Sequence, residues 1–214
     1  MIKAIFWDND GILVDTEHLY FQATRETMAT AGIALSDEDY VEFFLRQGAG
    51  AWHLAEARGL SADAIVQLRD QRNALYSRLL RAEARPIAGV VDVLETLRGK
   101  YVMGIVTSSR KDHFDVIHET SGLLKYFDFV LTSGDFARVK PHPDPYLMAI
   151  ERSGVAPDEC IAIEDSERGL QAATLAGIRC LAIPTALTRG CRFEGAQRVL
   201  AGVSDVPAAL GVLD

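Results

Sequence analysis

Four short polar clusters in this 214-residue chain hold residue types that can act together on a phosphate ester. They are Asp8-Asn9-Asp10-Gly11, Thr107-Ser108-Ser109, Lys140-Pro141 and Glu164-Asp165-Ser166. A carboxylate that attacks phosphorus forms an acyl phosphate and divides one hard displacement into two easier ones. A second carboxyl group beside it can protonate the leaving alkoxide, then activate the water that clears the intermediate. Charge adds a further requirement. At about 4 Å and an effective dielectric of about 20, a pair of like unit charges costs roughly 4 kcal/mol. A carboxylate therefore reaches a phosphate dianion only when cations intervene. Mg2+ suits that task, because it takes a few carboxylate oxygens together with phosphate oxygens and water. Asp8 and Asp165, with Glu164 adjacent, can supply the carboxylates. Lys140 adds a fixed positive charge, and the Thr107 hydroxyl with neighbouring backbone N–H groups can hold phosphate oxygens.

Each cluster follows a short apolar run: residues 2–7, 102–106, 129–131 and 161–163, with a fifth run at 180–183. Runs of this length, ended by polar turns, predict buried strands of a parallel sheet. Between them lie apolar stripes at helical spacing, such as Val90, Val91, Leu94 and Leu97, or Leu170, Ala173 and Ala176. Gly99, Gly122, Gly154 and Gly177 fall where helices would stop, and Asp112 is a candidate cap. Strand alternating with helix gives an α/β fold, a doubly wound parallel sheet in which strand-end residues meet at one edge. Residues 16 to 85 break the alternation and carry only helical stripes, with Ser36 and Ser61 as cap signals. The expected division is therefore core over 1–15, a helical cap over 16–85, and core again over 86–214. A block inserted there sits above the carboxyl ends of the strands, where such sheets bind ligands, and is placed as a lid.

The four clusters, in this order, resemble the haloacid-dehalogenase superfamily of aspartate-nucleophile phosphatases, in the branch with β-phosphoglucomutase and phosphoglycolate phosphatase. Phe6-Trp7-Asp8-Asn9-Asp10-Gly11-Ile12-Leu13-Val14-Asp15 is similar to the first motif and Val106-Thr107-Ser108-Ser109 to the second. Lys140-Pro141-His142-Pro143-Asp144-Pro145-Tyr146 is similar to the third, and Ile163-Glu164-Asp165-Ser166 with Gly169 to the fourth. The resemblance spans residues 1 to about 185. It implies a Rossmann-like core with a helical cap, Asp8 as nucleophile and Asp10 as acid and base. It also implies Thr107 and Lys140 on the phosphate, and Mg2+ on Asp8, the Asp10 carbonyl and Asp165. The candidate phosphate-binding set is Gly11, Thr107, Ser108, Ser109 and Lys140. The candidate metal ligands are Asp8, Asp10, Glu164 and Asp165. Trp7 and Ile12 depart from the residues usual at their places but remove no functional group.

The implied reaction is hydrolysis of a small phosphorylated metabolite, with a phosphomutase of the β-phosphoglucomutase type as the alternative. A mutase brings a second phosphate under the lid and needs a cation there. In Arg46-Gln47-Gly48-Ala49-Gly50-Ala51 the aligned place is Ala51, which favours hydrolysis, while Arg46 and Arg72 could partly substitute. Dehalogenation is disfavoured by Asp10 together with Asp165.

Other readings of the same residues are weaker. Asp8 to Gly11 taken alone could be a plain turn. A calcium loop would want glycine sixth and glutamate twelfth, where this chain has glycine fourth and Leu19 twelfth. Lys140 alone reads as a solvated lysine, Trp52 as cap core, and His18, His53, His113 and His142 as surface or core residues. The chain carries 22 basic and 30 acidic residues, a net charge of −8, which argues against a nucleic-acid partner. No apolar run reaches the roughly 18 residues of a membrane span, and no leader is evident. Cys160, Cys180 and Cys191 are odd in number and widely spaced, and read as reduced thiols in the cytoplasm. A monomer is expected.

Overall fold

Alternation in the first strand settles how the molecule is layered. In β1 (Ala4–Trp7), Ile5 and Trp7 pack into one apolar cluster, and Ala4 and Phe6 into another on the opposite face. Both faces are covered, which is why the run reads as continuously apolar. The computed structural model describes residues 1–213. Its further strands are β2 (Val102–Val106), β3 (Phe129–Leu131), β4 (Cys160–Glu164), β5 (Arg179–Ala182) and β6 (Arg198–Val199). All six pair in parallel in the order β3-β2-β1-β4-β5-β6. The strand order reverses between β1 and β4, the switch point at which doubly wound sheets open a crevice.

Residues 16–85 form α1 (Glu17–Thr30), α2 (Asp37–Tyr40), a π-helical turn (Val41–Arg46), α3 (Trp52–Ala57) and α4 (Ala62–Glu83). Among the described residues this stretch holds no strand. Ser36 closes a capping box with Asp39, and the Ser61 hydroxyl accepts from the Ala64 N–H. The short α2 widens into the π-helical turn, and Tyr40, Phe44 and Leu45 are buried together there. This block has its own apolar cluster, with Phe21, Met28, Trp52, Ile65 and Leu68. Leu19, Ala23, Tyr76 and Leu80 instead join the cluster under the sheet.

The remaining helices are α5 (Val90–Leu97), α6 (Lys111–His118), α7 (Asp144–Ser153), α8 (Glu167–Leu175) and α9 (Val206–Gly211). α5, α6 and α9 cover the Ile5–Trp7 face, and α7 and α8 the Ala4–Phe6 face. One expectation is corrected. Arg110, not Asp112, takes the cap position of α6, and Asp112 turns to the Arg110 guanidinium and the His113 N–H. Beyond the span of the resemblance, residues 186–213 add β6 and α9 to the expected core, seating Val203, Val206, Ala209 and Leu210 in it. β6 escaped the apolar-run criterion because both its residues, Arg198 and Val199, are exposed.

Candidate active site

Asp8 directly follows β1, and its N–H continues the ladder by donating to Ile163 O at 2.9 Å. The chain then folds back on itself, the Leu13 and Val14 N–H groups both donating to Asn9 O. Gly11 makes this turn with φ +78, and a Cβ there would run into the Asp165 carboxylate. The Gly11 N–H is spent on Val14 O at 2.9 Å. Gly11, expected among the phosphate-binding residues, thus has its N–H engaged in the turn, and its missing Cβ makes room for Asp165.

Lys140 reaches this edge from the loop before α7 and is 3% exposed, where the residue alone read as solvated. Its Nζ lies 2.9 Å from Asp8 Oδ1, 2.7 Å from Val106 O and 2.6 Å from Glu164 Oε1. Burial alone would lower the lysine pKa, but Asp8 and Glu164 outweigh it and the ammonium is held more firmly charged than usual. Glu164 is wholly buried, and its Oε1 also accepts from the Tyr146 hydroxyl. The Glu164 carboxylate fills the space where a Cβ on Gly169 would stand. Glu164 therefore braces Lys140 from behind, while Asp8 and Asp165 line the cavity.

Three buried carboxylates face one ammonium. Burial first, then the charge of Glu164, pushes Asp8 up to about 7 against the pull of Lys140. Asp165 is raised well above the carboxylate range by burial and by Asp8. One oxygen each from Asp8, Glu164 and Asp165 lies within 4.8 Å of the others. A hard divalent cation fits such an oxygen-only, negatively unbalanced set.

The Asp10 carboxylate points elsewhere. Oδ1 accepts from the Thr16 hydroxyl, and Oδ2 accepts from Ser109 Oγ at 2.6 Å, Asn9 Nδ2 at 3.3 Å and Thr107 Oγ1 at 3.4 Å. Ser109 is thus taken up by Asp10, whereas the Ser108 hydroxyl is buried, faces the cavity and has no protein partner. Asp8, Asp10, Thr107, Lys140 and Asp165 line one cavity of about 310 Å3.

Its roof comes from residues 16–85. Arg72 on α4 is 7% exposed, donates to the Tyr20 hydroxyl and to Asn73 Oδ1, and lies over the Tyr20 ring. Trp52 is packed in the cap core, as expected, yet also lines the cavity. Glu17, which accepts from the Tyr40 hydroxyl, and Arg168 of α8 complete the wall. Sequence reasoning passed over Glu17, Tyr146 and Arg168. Tyr146 stood inside the proline-rich third cluster, but nothing in its type marked it as a partner of Glu164.

The chain matches the family model described as "Haloacid dehalogenase-like hydrolase" over residues 5–183. It is 30% identical to the protein CbbY of Rhodobacter capsulatus, over 92% of this chain and 91% of that protein. It is also 30% identical to the fructose-1-phosphate phosphatase YqaB of Escherichia coli, over 82% and 93%. Among solved structures, CbbY from Rhodobacter sphaeroides, in a mutant form bound to xylulose-1,5-bisphosphate, superposes with a TM-score of 0.82. That protein shares 27% identity, with 98% of this chain and 99% of the other covered. Fold, strand-end chemistry and similarity agree: the chain belongs to the haloacid dehalogenase-like hydrolases.

Proposed function

We propose that the protein hydrolyses a small phosphorylated sugar through an aspartyl-phosphate intermediate, with Asp8 as nucleophile and Asp10 as acid and base. The carrying observation is one cavity that presents Asp8, Asp10, Lys140 and Asp165 together, with Glu164 close behind Asp8 and Asp165. In the first step an Asp8 oxygen bonds to phosphorus as the bond to the sugar oxygen breaks, and the Asp10 proton passes to that oxygen. In the second, Asp10 takes a proton from water, which attacks the acyl phosphate and releases phosphate and free Asp8. Lys140 holds Oδ1 of Asp8, leaving Oδ2 for the attack. The Thr107 hydroxyl, the Ser108 hydroxyl and the Ser108 N–H receive phosphate oxygens, while the Thr107 N–H stays in the ladder on Leu131 O. Asp8 and Asp165 with the Asp10 carbonyl would hold Mg2+, which when bound offsets the repulsion between carboxylate and phosphate.

The substrate class rests on the roof, over which we assign residues 16–85 to a cap. Tyr20 and Trp52 offer aromatic faces and Arg72 and Asn73 offer donors, a wall suited to a hydroxyl-rich ring. Relatives named for fructose 1-phosphate or bound to xylulose bisphosphate support the same class. Hydrolysis is preferred over a mutase. Ala51 is buried at the start of α3, and Arg46 is drawn to Glu42 and Glu167, which leaves Arg72 as the cap cation of the cavity. The net charge of −8 and three free cysteines support work on a small metabolite in the cytoplasm, by a monomer and without nucleic acid. No described helix is long and apolar enough to cross a membrane.

The test is phosphate release from a panel of sugar phosphates with Mg2+ and with chelator, alongside β-glucose 1-phosphate primed with its 1,6-bisphosphate. Metal-dependent phosphate release is expected. Rapid glucose 6-phosphate formation with little free phosphate would make the enzyme a mutase instead.

A further inference from the structure

A buried histidine that the reaction does not use stands at the end of a hydrogen-bond chain leading to Asp10. His118, in the last turn of α6, is 8% exposed and 109 residues from the partner it meets. Its Nε2 lies 2.9 Å from Asn9 Oδ1, and its Nδ1 lies 2.7 Å from Ser121 Oγ. Because Asn9 Oδ1 faces Nε2 and can only accept, a neutral ring satisfies both links in one way. Ser121 Oγ accepts the Leu123 N–H at 3.1 Å, so its own hydrogen is free for Nδ1. Nδ1 is then the acceptor of a neutral imidazole, and Nε2–H donates to the Asn9 carbonyl oxygen. That fixes the Asn9 amide with Nδ2 toward Asp10 Oδ2, at 3.3 Å. Burial keeps His118 uncharged, pushing its pKa down to about 4.

Asn9 is wholly buried between the two aspartates, and its backbone oxygen closes the turn that carries them. Its side-chain oxygen has His118 for a partner from outside that turn. Thr107 and Ser109 hold Asp10 from the neighbouring loop and Thr16 from the entry to the cap, whereas Asn9 is tied through His118 to α6. We infer that His118, with Ser121 behind it, is a positioning residue that orients Asp10 for proton transfer through Asn9. The inference rests on Asp10 being the acid and base of a phosphatase. A buried amide oxygen that loses its donor seeks another, and the amide that rotates to find one releases the Asp10 carboxylate.

Proton transfer matters most when the leaving group is poor, so the readout is a ratio. The kcat/KM for an alkyl phosphate such as glycerol phosphate is divided by that for p-nitrophenyl phosphate, in wild type, His118→Ala, His118→Gln and Ser121→Ala. The ratio is independent of how much of a variant is folded. His118→Ala should lower it about tenfold, a part of the roughly 10²–10⁴ that general acid–base catalysis contributes. His118→Gln, whose amide can still donate to Asn9, should recover most of the loss, and Ser121→Ala should show a smaller fall. An unchanged ratio in His118→Ala overturns the inference, as does an unchanged ratio in Ser121→Ala where His118→Ala does not fold. Wild-type enzyme with Mg2+ that releases no phosphate from either ester overturns the phosphatase reading instead.

Discussion

Asp8 is the residue on which burial, charge and chemistry all act. Asp8→Asn keeps the side-chain size and leaves Lys140 an oxygen to donate to, but an amide does not attack phosphorus. Phosphate release should fall by about a thousandfold or more while circular dichroism and melting report a folded protein. Near-normal turnover would remove Asp8 as nucleophile. His118 gives a second residue-level expectation, this time for stability. Its folded pKa of about 4 lies below the ordinary 6.5 because the imidazole is buried. Between those values the unfolded chain binds more protons, so stability rises with pH across that window and is lost as pH falls toward 4. The share is on the order of 3 kcal/mol, at 1.36 kcal/mol per pKa unit. In urea unfolding at pH 4.5 and 7, the stability of wild type relative to His118→Gln should rise by about that share, because the buried carboxylates contribute equally to both. Equal gains in both would mean that His118 titrates normally in the folded protein.

At the scale of elements, the chain enters and leaves the helical block through two segments that lie side by side. The Asp15 N–H donates to Arg85 O at 3.1 Å, the Ile87 N–H to Leu13 O at 3.0 Å, and Val14 bridges Pro86. Two adjacent linkers are the arrangement a hinge requires. The block has an apolar cluster of its own, while its polar contacts near the cavity mouth are light. Arg46 meets Glu167 at 3.5 Å with both partly exposed, an ion pair worth about 0–1 kcal/mol. The Arg168 side chain fills the space beside Gly48. Opening at the cavity mouth therefore breaks little that water cannot replace, while Leu19, Ala23, Tyr76 and Leu80 keep the base of the block in the core cluster. Closing over substrate excludes water during transfer, and reopening admits product exchange. Mg2+ with beryllium fluoride as a phosphate analogue should reduce the radius seen by X-ray scattering and slow amide exchange around residues 46–52. No change in either measurement would argue against a moving lid.

For the whole molecule, the cost of the site lies in its buried negative charge. Asp8 is protonated in the metal-free fold up to about pH 7, against an ordinary carboxylate value of 3.8. Folded Asp8 thus binds more protons than it does in the unfolded chain between about pH 4 and 7, and its contribution to metal-free stability falls as pH rises through that window, opposite to that of His118. Mg2+ competes with the same protons. Its gain in melting temperature should be small at pH 5 and several degrees larger at pH 8, and equal gains would contradict a cation held by Asp8. The sequence by itself determined the sheet, because buried parallel strands must be short apolar runs, and those runs locate five of the six strands. It also marked Asp8, Asp10, Thr107, Lys140, Glu164 and Asp165, because strand-end residues of a parallel sheet share one edge whatever the loops between them. Only the tertiary structure decided what each of these residues touches. Lys140 is buried because Asp8 and Glu164 come at it from two different strand ends, which no local pattern of the third cluster encodes. Gly11 yields its place to Asp165 across 154 residues of chain, and His118 finds Asn9 across 109, pairings set by how β1, β4 and α6 pack. β6 lay beyond the sequence reading for the converse reason: its two exposed residues are held by the edge of β5, not by any apolar run of their own.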